Sequence, residues 1–322
     1  MSDLYARLAA IGFDRDFVRS AILPEWWDDS LAEIPANRAF AENLLARSLC
    51  IPISDLSQPS ADLRLPSLTH VKFKRYKNHV DERVAPAILV AQRAAKIVVD
   101  AISLPSFELT FDATTARQAI LRRYRYVDLS SLLSFCWDHG IVVLHLAKAP
   151  KHSKRFDGLA MFCGDRPVLV LGTRRESPAW LAFYLAHELS HILRRHVTPG
   201  SPPLADSDLQ STSTDRQEKE ADASACELLT GVTHPKIPDL KYNALRLALA
   251  VAREGPVLGM DPGVMALIYG KSNDRWGVAQ NALKHLSLAS GAQEMIVEAL
   301  RKRFNPEDLS ESSERFLSVL SI

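Results

Sequence analysis

At 322 residues, with 47% hydrophobic and 24% charged residues and a formal net charge of +1, the chain has the composition of an ordinary soluble protein. A chain of this size buries a substantial core without staples, in one large domain or roughly two to three small ones. Its bulk charge gives no pointer to nucleic acid, and no apolar run reaches the ~18 residues of a membrane span.

The four cysteines, Cys50, Cys136, Cys163 and Cys226, are far apart and form no Cys-x-x-Cys pair. They read as reduced thiols. The first residues, Met-Ser-Asp-Leu-Tyr, lack the basic and apolar regions of a signal peptide, so the expectation is a cytoplasmic protein without a membrane partner.

Residues 1 to about 55 are expected to be helical: Leu4, Leu8 and Ile11 share one spacing, and Ala39, Leu44, Leu45 and Leu49 another. The stretch from Ala41 to Pro52 resembles the start of a helix-turn-helix. No recognition helix rich in Arg, Gln or Asn follows, so packing is the better reading. Ser54 to Ser67 is polar and proline-bearing, a linker or an ordered loop. Two segments are basic, His70 to Lys77 (HVKFKRYK) and Lys148 to Arg155 (KAPKHSKR). Each is read as a solvated face, with a polyanion surface as the alternative.

The spacing predicts a long helix over Val84 to Ala101, then helices over Thr114 to Arg123 and Leu129 to Cys136. The period then changes. Short apolar runs beginning at Gly140, Gly158 and Pro167 predict three strands, the last two joined by a Gly-Asp-Arg turn. A helix over 178 to 194 follows, with Leu181, Leu185 and Leu189 on a buried face and Ser177-Pro178 as N-cap and N1. Pro199 to Thr214 reads as a flexible loop, long enough to suggest a neighbouring site. Arg216 to Thr230 is a second helix. Four or five more are drawn from Asn243 onward, including Asp261 to Tyr269, Trp276 to His285 and Glu294 to Arg303.

Chemistry concentrates on the helix over 178 to 194. His187 and His191 stand one turn apart on one face, where both imidazoles grip one metal ion, and Glu188 flanks that ion. This is the His-Glu-x-x-His pattern of zinc peptidases, with the glutamate as general base. A catalytic zinc needs a third protein ligand. Glu218 and Asp222, four apart on the second helix, share a face: Glu218 as third ligand, Asp222 as acceptor for the free ring nitrogen of a ligand histidine. Glu220 points elsewhere, into solvent. The plain alternative is an acidic helix N-terminus. Tyr184, His196 and His234 are candidates for an additional oxyanion donor, with a structural role as the alternative for each. Cys163, ending a strand that should border the cleft, is read as core packing or as an inhibitory fourth zinc ligand.

HELSH followed by EKEADASACELL resembles the ImmA/IrrE family of zinc metallopeptidases, as do DGLAMF, RPVLVLG and the Ala-Trp-Leu-Ala-Phe entry to the helix. The resemblance covers roughly residues 140 to 230. It implies an α+β, mainly α fold: a zincin-like core with a small sheet of three or slightly more strands, flanked by helical regions. The expected division is 1–80, a metallopeptidase core over 81–232, and 233–322. It also implies a zinc endopeptidase cutting a transcriptional repressor, often a helix-turn-helix protein, in stress, mobile-element or phage-defence circuits. Zinc on His187, His191 and Glu218 would acidify a water whose proton Glu188 takes, and β-strand addition would present the substrate. The basic segments suggest single-stranded nucleic acid as an activator. The competing reading is a signal-sensing regulatory protein whose peptidase-like core mainly binds a ligand or DNA.

Overall fold

The computed structural model describes all residues except 61, 66–71, 74–81, 109, 207–214 and 304–305. The N-terminal helices are α1 Ser2–Ala10, α2 Arg15–Phe17, α3 Pro35–Leu49 and α4 Ile53–Ser57. The central ones are α5 Ala85–Ala101, α6 Ala113–Leu121, α7 Leu129–Asp138, α8 Pro178–Leu193 and α9 Arg216–Thr230. Five more close the chain: α10 Ala244–Glu254, α11 Pro262–Asn273, α12 Trp276–His285, α13 Ala292–Arg301 and α14 Glu311–Leu320. The strands are β1 Lys72–Phe73, β2 Val142–His145, β3 Gly158–Cys163, β4 Arg166–Leu171 and β5 Leu204–Asp206. The fold is therefore α+β and mainly helical, as the sequence predicts.

The strands form one mixed sheet in the order β1-β5-β3-β4-β2. β3 and β4 are an antiparallel hairpin with Cys163 opposite Arg166, and Gly164 supplies its positive φ of 60° at the turn. β2 lies parallel to β4, and β5 antiparallel to β3, with Gly158 opposite Asp206 and Ala160 opposite Leu204. One expectation changes here. Composition predicts a loop over Pro199 to Thr214, yet Leu204 and Ala205 are buried in β5, because pairing with β3 outweighs the local polar bias. The rest of that stretch from 207 lies outside the described residues. β4 thus lies between β3 and β2, while β5 covers β3 only over Gly158 to Ala160; among the described residues, Met161 to Cys163 of β3 keep an unpaired side to which an extended substrate could add. Among the described residues the outer strands are β1 and β2.

Helix α8 packs on β3 and β4 and runs beside α9, while α5 also packs on the sheet. α8 is buried almost from end to end, with Leu181, Leu185 and Leu189 at 0% exposure. Pro178 occupies its first turn as expected, but the Ser177 side chain makes no capping hydrogen bond. α9 buries one face, through Glu218, Ala221, Ala225 and Leu228, and ends on Gly231 at φ 84°. Its last turn is held from outside. The buried Arg117 of α6 donates to the carbonyls of Leu228 and Leu229 at 3.2 and 2.8 Å, and to Gly259 at 2.7 Å.

The flanking helices close around this centre. α11 packs on α8, and Trp276 of α12 stacks on Trp180 with ring centroids 5.6 Å apart. α14 returns to the N-terminal region and α5, so that one buried cluster extends from Leu4 to Leu320. On α3 the buried stripe is Ala41, Leu45 and Leu49, whereas Ala39 faces solvent, which corrects the looser spacing assigned to it. Within Ser54 to Ser67, residues up to Ser57 complete α4 and Leu63 is buried. Most of HVKFKRYK lies outside the described residues. In KAPKHSKR, Lys151 pairs with Asp16 and Arg155 donates to the Ala147 carbonyl, so two of its cations already have partners. No helix among the described residues is long and apolar enough to cross a membrane.

Candidate metal centre

The centre is built where α8 and α9 lie side by side. Helical spacing on α8 sets His187 and His191 one turn apart, and their Nε2 atoms approach to 3.1 Å. α9 begins at the Asp215 N-cap, whose side chain accepts from the Gln217 amide, and this sets Glu218 in the first turn. Glu218 Oε2 is 3.4 Å from His187 Nε2, and Oε1 is 3.7 Å from His191 Nε2. These three residues are 0–2% exposed. They are also the one set of His, Cys, Asp or Glu among the described residues whose donor atoms all lie within 4.8 Å of one another.

The donor set fits a small divalent ion. Bonds of about 2.0–2.1 Å in a tetrahedron place the donors roughly 3.3 Å apart, close to the separations found. Burying a carboxylate and two imidazoles together is costly unless a counter-charge satisfies them. Behind His187, Nδ1 lies 3.0 Å from Asp222 Oδ1, on a side chain 41% exposed. A carboxylate there accepts the Nδ1 proton and leaves the Nε2 lone pair directed at Glu218 and His191.

Glu188 is completely buried. It lies against the start of β3, where a Cβ added to Gly158 would stand only 2.5 Å from the Glu188 Cδ. A side chain at 158 would thus displace the carboxylate, and this glycine is a site requirement that the sequence reading missed. Its signal was available, as a glycine opening the apolar run that precedes the metal helix.

Cys163 does not join the group. Successive strand residues face opposite sides, so Cys163, five positions after Gly158, points away from Glu188. At ~3.3 Å per residue it also lies about 16 Å further along the strand. Its charged neighbours are Lys96 and Asp100 of α5, and burial pushes its thiol pKa up. Both features suit packing. Cys226 is likewise partly buried, with its thiol pKa raised by burial.

The other candidates divide. Tyr184 is buried, and its hydroxyl pKa is pushed up to about 12 by burial. His234 is exposed, on a groove of about 950 Å³ beside α9. His196, at 7% exposure, lies with Nδ1 3.0 Å from His191 Nδ1 and Nε2 3.2 Å from Glu220 Oε2. Glu220 is therefore not simply solvated: Arg216 also donates to it, at 2.7 Å. Arg216, followed by His196, holds the Glu220 carboxyl below its ordinary pKa, while burial lowers that of His196.

Residues 136–231 match the family model of the IrrE N-terminal-like domain, Peptidase_M78. No curated protein matches the chain. The match begins in α7 and ends just past α9, taking in the β3–β4 hairpin and all three clustered donors. Residues 136–231 are thus an ImmA/IrrE metallopeptidase domain of the M78 family, built on a His-His-Glu metal-site geometry.

Proposed function

We propose that the chain is a zinc endopeptidase that cleaves a DNA-binding transcriptional repressor in a stress, mobile-element or phage-defence circuit. The observation that carries the peptidase chemistry is the buried convergence of His187, His191 and Glu218 beside Glu188, inside the M78 domain. His187, His191 and Glu218 hold the zinc, and Asp222 fixes the ring of His187. When bound, zinc supplies Lewis-acid polarisation of the scissile carbonyl and an acidified water. Glu188 takes the proton of the attacking water and returns it to the leaving amine. Its confinement against Gly158 limits the positions it adopts, which favours one proton-transfer geometry.

The repressor substrate rests on the family resemblance. A metal centre hydrolyses many peptides, so selectivity falls to surfaces beyond it, and the helices flanking residues 136–231 supply them. The test is incubation of the purified chain with candidate DNA-binding repressors, with Glu188→Gln as control. The expected result is one discrete cut by the wild type, lost with a chelator and lowered roughly 10²–10⁴-fold in Glu188→Gln with zinc retained. Cleavage by Glu188→Gln near the wild-type rate removes Glu188 from the mechanism. Hydrolysis of a generic peptide with no cut in any candidate repressor keeps the peptidase and discards the substrate class.

A further inference from the structure

His196 lies outside the His-Glu-x-x-His motif, yet its ring is directed at His191, one of the three clustered donors. α8 ends at Leu193, and Arg195 adopts a left-handed φ of 58°, a conformation that residues other than glycine seldom take. That reversal lets the His196 amide donate to the His191 carbonyl at 2.9 Å and folds the His196 ring back against His191, with centroids 5.1 Å apart. The ring nitrogens then meet at 3.0 Å, Nδ1 to Nδ1.

The proton in that contact can be assigned from the other end. Glu220 Oε2, 3.2 Å from His196 Nε2, is a carboxylate held by Arg216 and only accepts, so His196 Nε2 carries hydrogen. In a neutral ring Nδ1 is then the acceptor. His191 must donate through its own Nδ1, and its Nε2 keeps a lone pair, aimed at the same point as His187 Nε2. The opposite tautomer of His191 would place a hydrogen between the donors and block ligation.

We propose that His196 is a positioning residue for His191: backed by Glu220, it fixes His191 in the tautomer whose Nε2 would present its lone pair to a metal. The proposal deepens the metal-centre reading and rests on His187, His191 and Glu218 holding one ion. It makes the two histidines equivalent by different means. His187 is oriented by a carboxylate directly, His191 by a carboxylate acting through an intervening imidazole.

The test is zinc affinity by chelator competition, together with the visible spectrum of the cobalt-loaded chain, for wild type, His196→Phe, His196→Gln and Glu220→Ala. Phenylalanine keeps the ring shape without nitrogens, whereas glutamine offers an oxygen to His191 and an amide to Glu220. The expected result is a roughly 10–100-fold loss of affinity and an altered cobalt spectrum in His196→Phe. His196→Gln should recover most of both, and Glu220→Ala, at a partly exposed position, should lose several-fold. Wild-type affinity and spectrum in His196→Phe overturn the proposal, as does a His196→Gln variant no better than His196→Phe. Wild-type affinity in Glu220→Ala removes Glu220 from the relay. Failure of the wild type itself to bind zinc overturns the underlying metal-centre reading and the relay with it.

Discussion

The two helices that make the centre are built differently. α8 is buried on nearly all sides and carries His187, Glu188 and His191 at 0–2% exposure. α9 buries one face only: Glu218 is inside, while Glu220 and Asp222 reach the surface with 30% and 41% of their side chains exposed. A helix packed on every side holds its ligands rigidly but has no room for the groups that orient them. In the proposed centre the half-exposed helix would provide one carboxylate for the metal and two for the rings behind it. Rigidity and tuning are thus divided between neighbours.

Removing the α9 ligand tests that division most severely. Glu218→Ala should lose zinc by more than the ~10–100-fold expected of an orienting residue, since two histidines alone leave a catalytic zinc short of its usual three protein ligands. Equilibrium dialysis against zinc checks this, alongside Glu220→Ala. A Glu218→Ala chain that keeps stoichiometric zinc while Glu220→Ala loses it would mean that the helical phase assigned to α9 is wrong.

A smaller effect is expected at the exposed edge of the same helix. Asp222→Ala should weaken zinc by about 10–100-fold, because His187 loses the acceptor that fixes its tautomer. It should leave folding almost untouched, as the side chain is 41% exposed. Zinc titration with thermal melting of the metal-free chain separates the two. Unchanged affinity would leave His187 oriented by packing alone and would erase the contrast between rigid and tuning helices.

How much of this was readable beforehand follows the same division. The donors on α8 and Glu218 on α9 were legible because helical spacing is local: four residues apart means one face, wherever the helix sits. The β3–β4 hairpin was legible from its apolar runs and turn. His196 and Glu220 were not assigned their present roles, because their meeting depends on a left-handed residue at Arg195, where the sequence has no glycine to announce it. β5 was hidden in a polar, proline-rich stretch, since two apolar residues suffice once β3 is there to pair with. For Cys163 the sequence left core packing and a fourth-ligand role side by side, and counting strand alternation from Gly158 favours packing.

A separate effect, on stability and not on the metal, is expected at a buried carboxylate outside the centre. Asp261 caps α11, accepting from the Val264 amide at 2.8 Å, and α11 packs on α8. At 6% exposure its pKa is pushed up to about 6 by burial, so the folded state holds its proton more tightly than the unfolded chain does. Both states are protonated below about pH 4, and the folded state then bears no penalty. As pH rises towards 6 the unfolded chain ionises first and stability falls, by an amount on the order of 3 kcal/mol for a shift of this size. Asp261→Asn keeps a capping side chain and removes the titration. Urea unfolding should show it more stable than wild type at pH 8 and little changed at pH 4. An equal difference at both values would mean that Asp261 acts through shape and not through charge.

The claim on which everything else depends is that two imidazoles and one carboxylate hold a single ion. X-ray absorption on the zinc-loaded chain, with metal content measured on the same sample, tests it directly. The account predicts one zinc per chain, bound by two histidine nitrogens and by oxygen at about 2.0–2.2 Å, with no sulfur scatterer. A zinc–sulfur distance of about 2.3 Å, or metal at well under one ion per chain after loading, would contradict it.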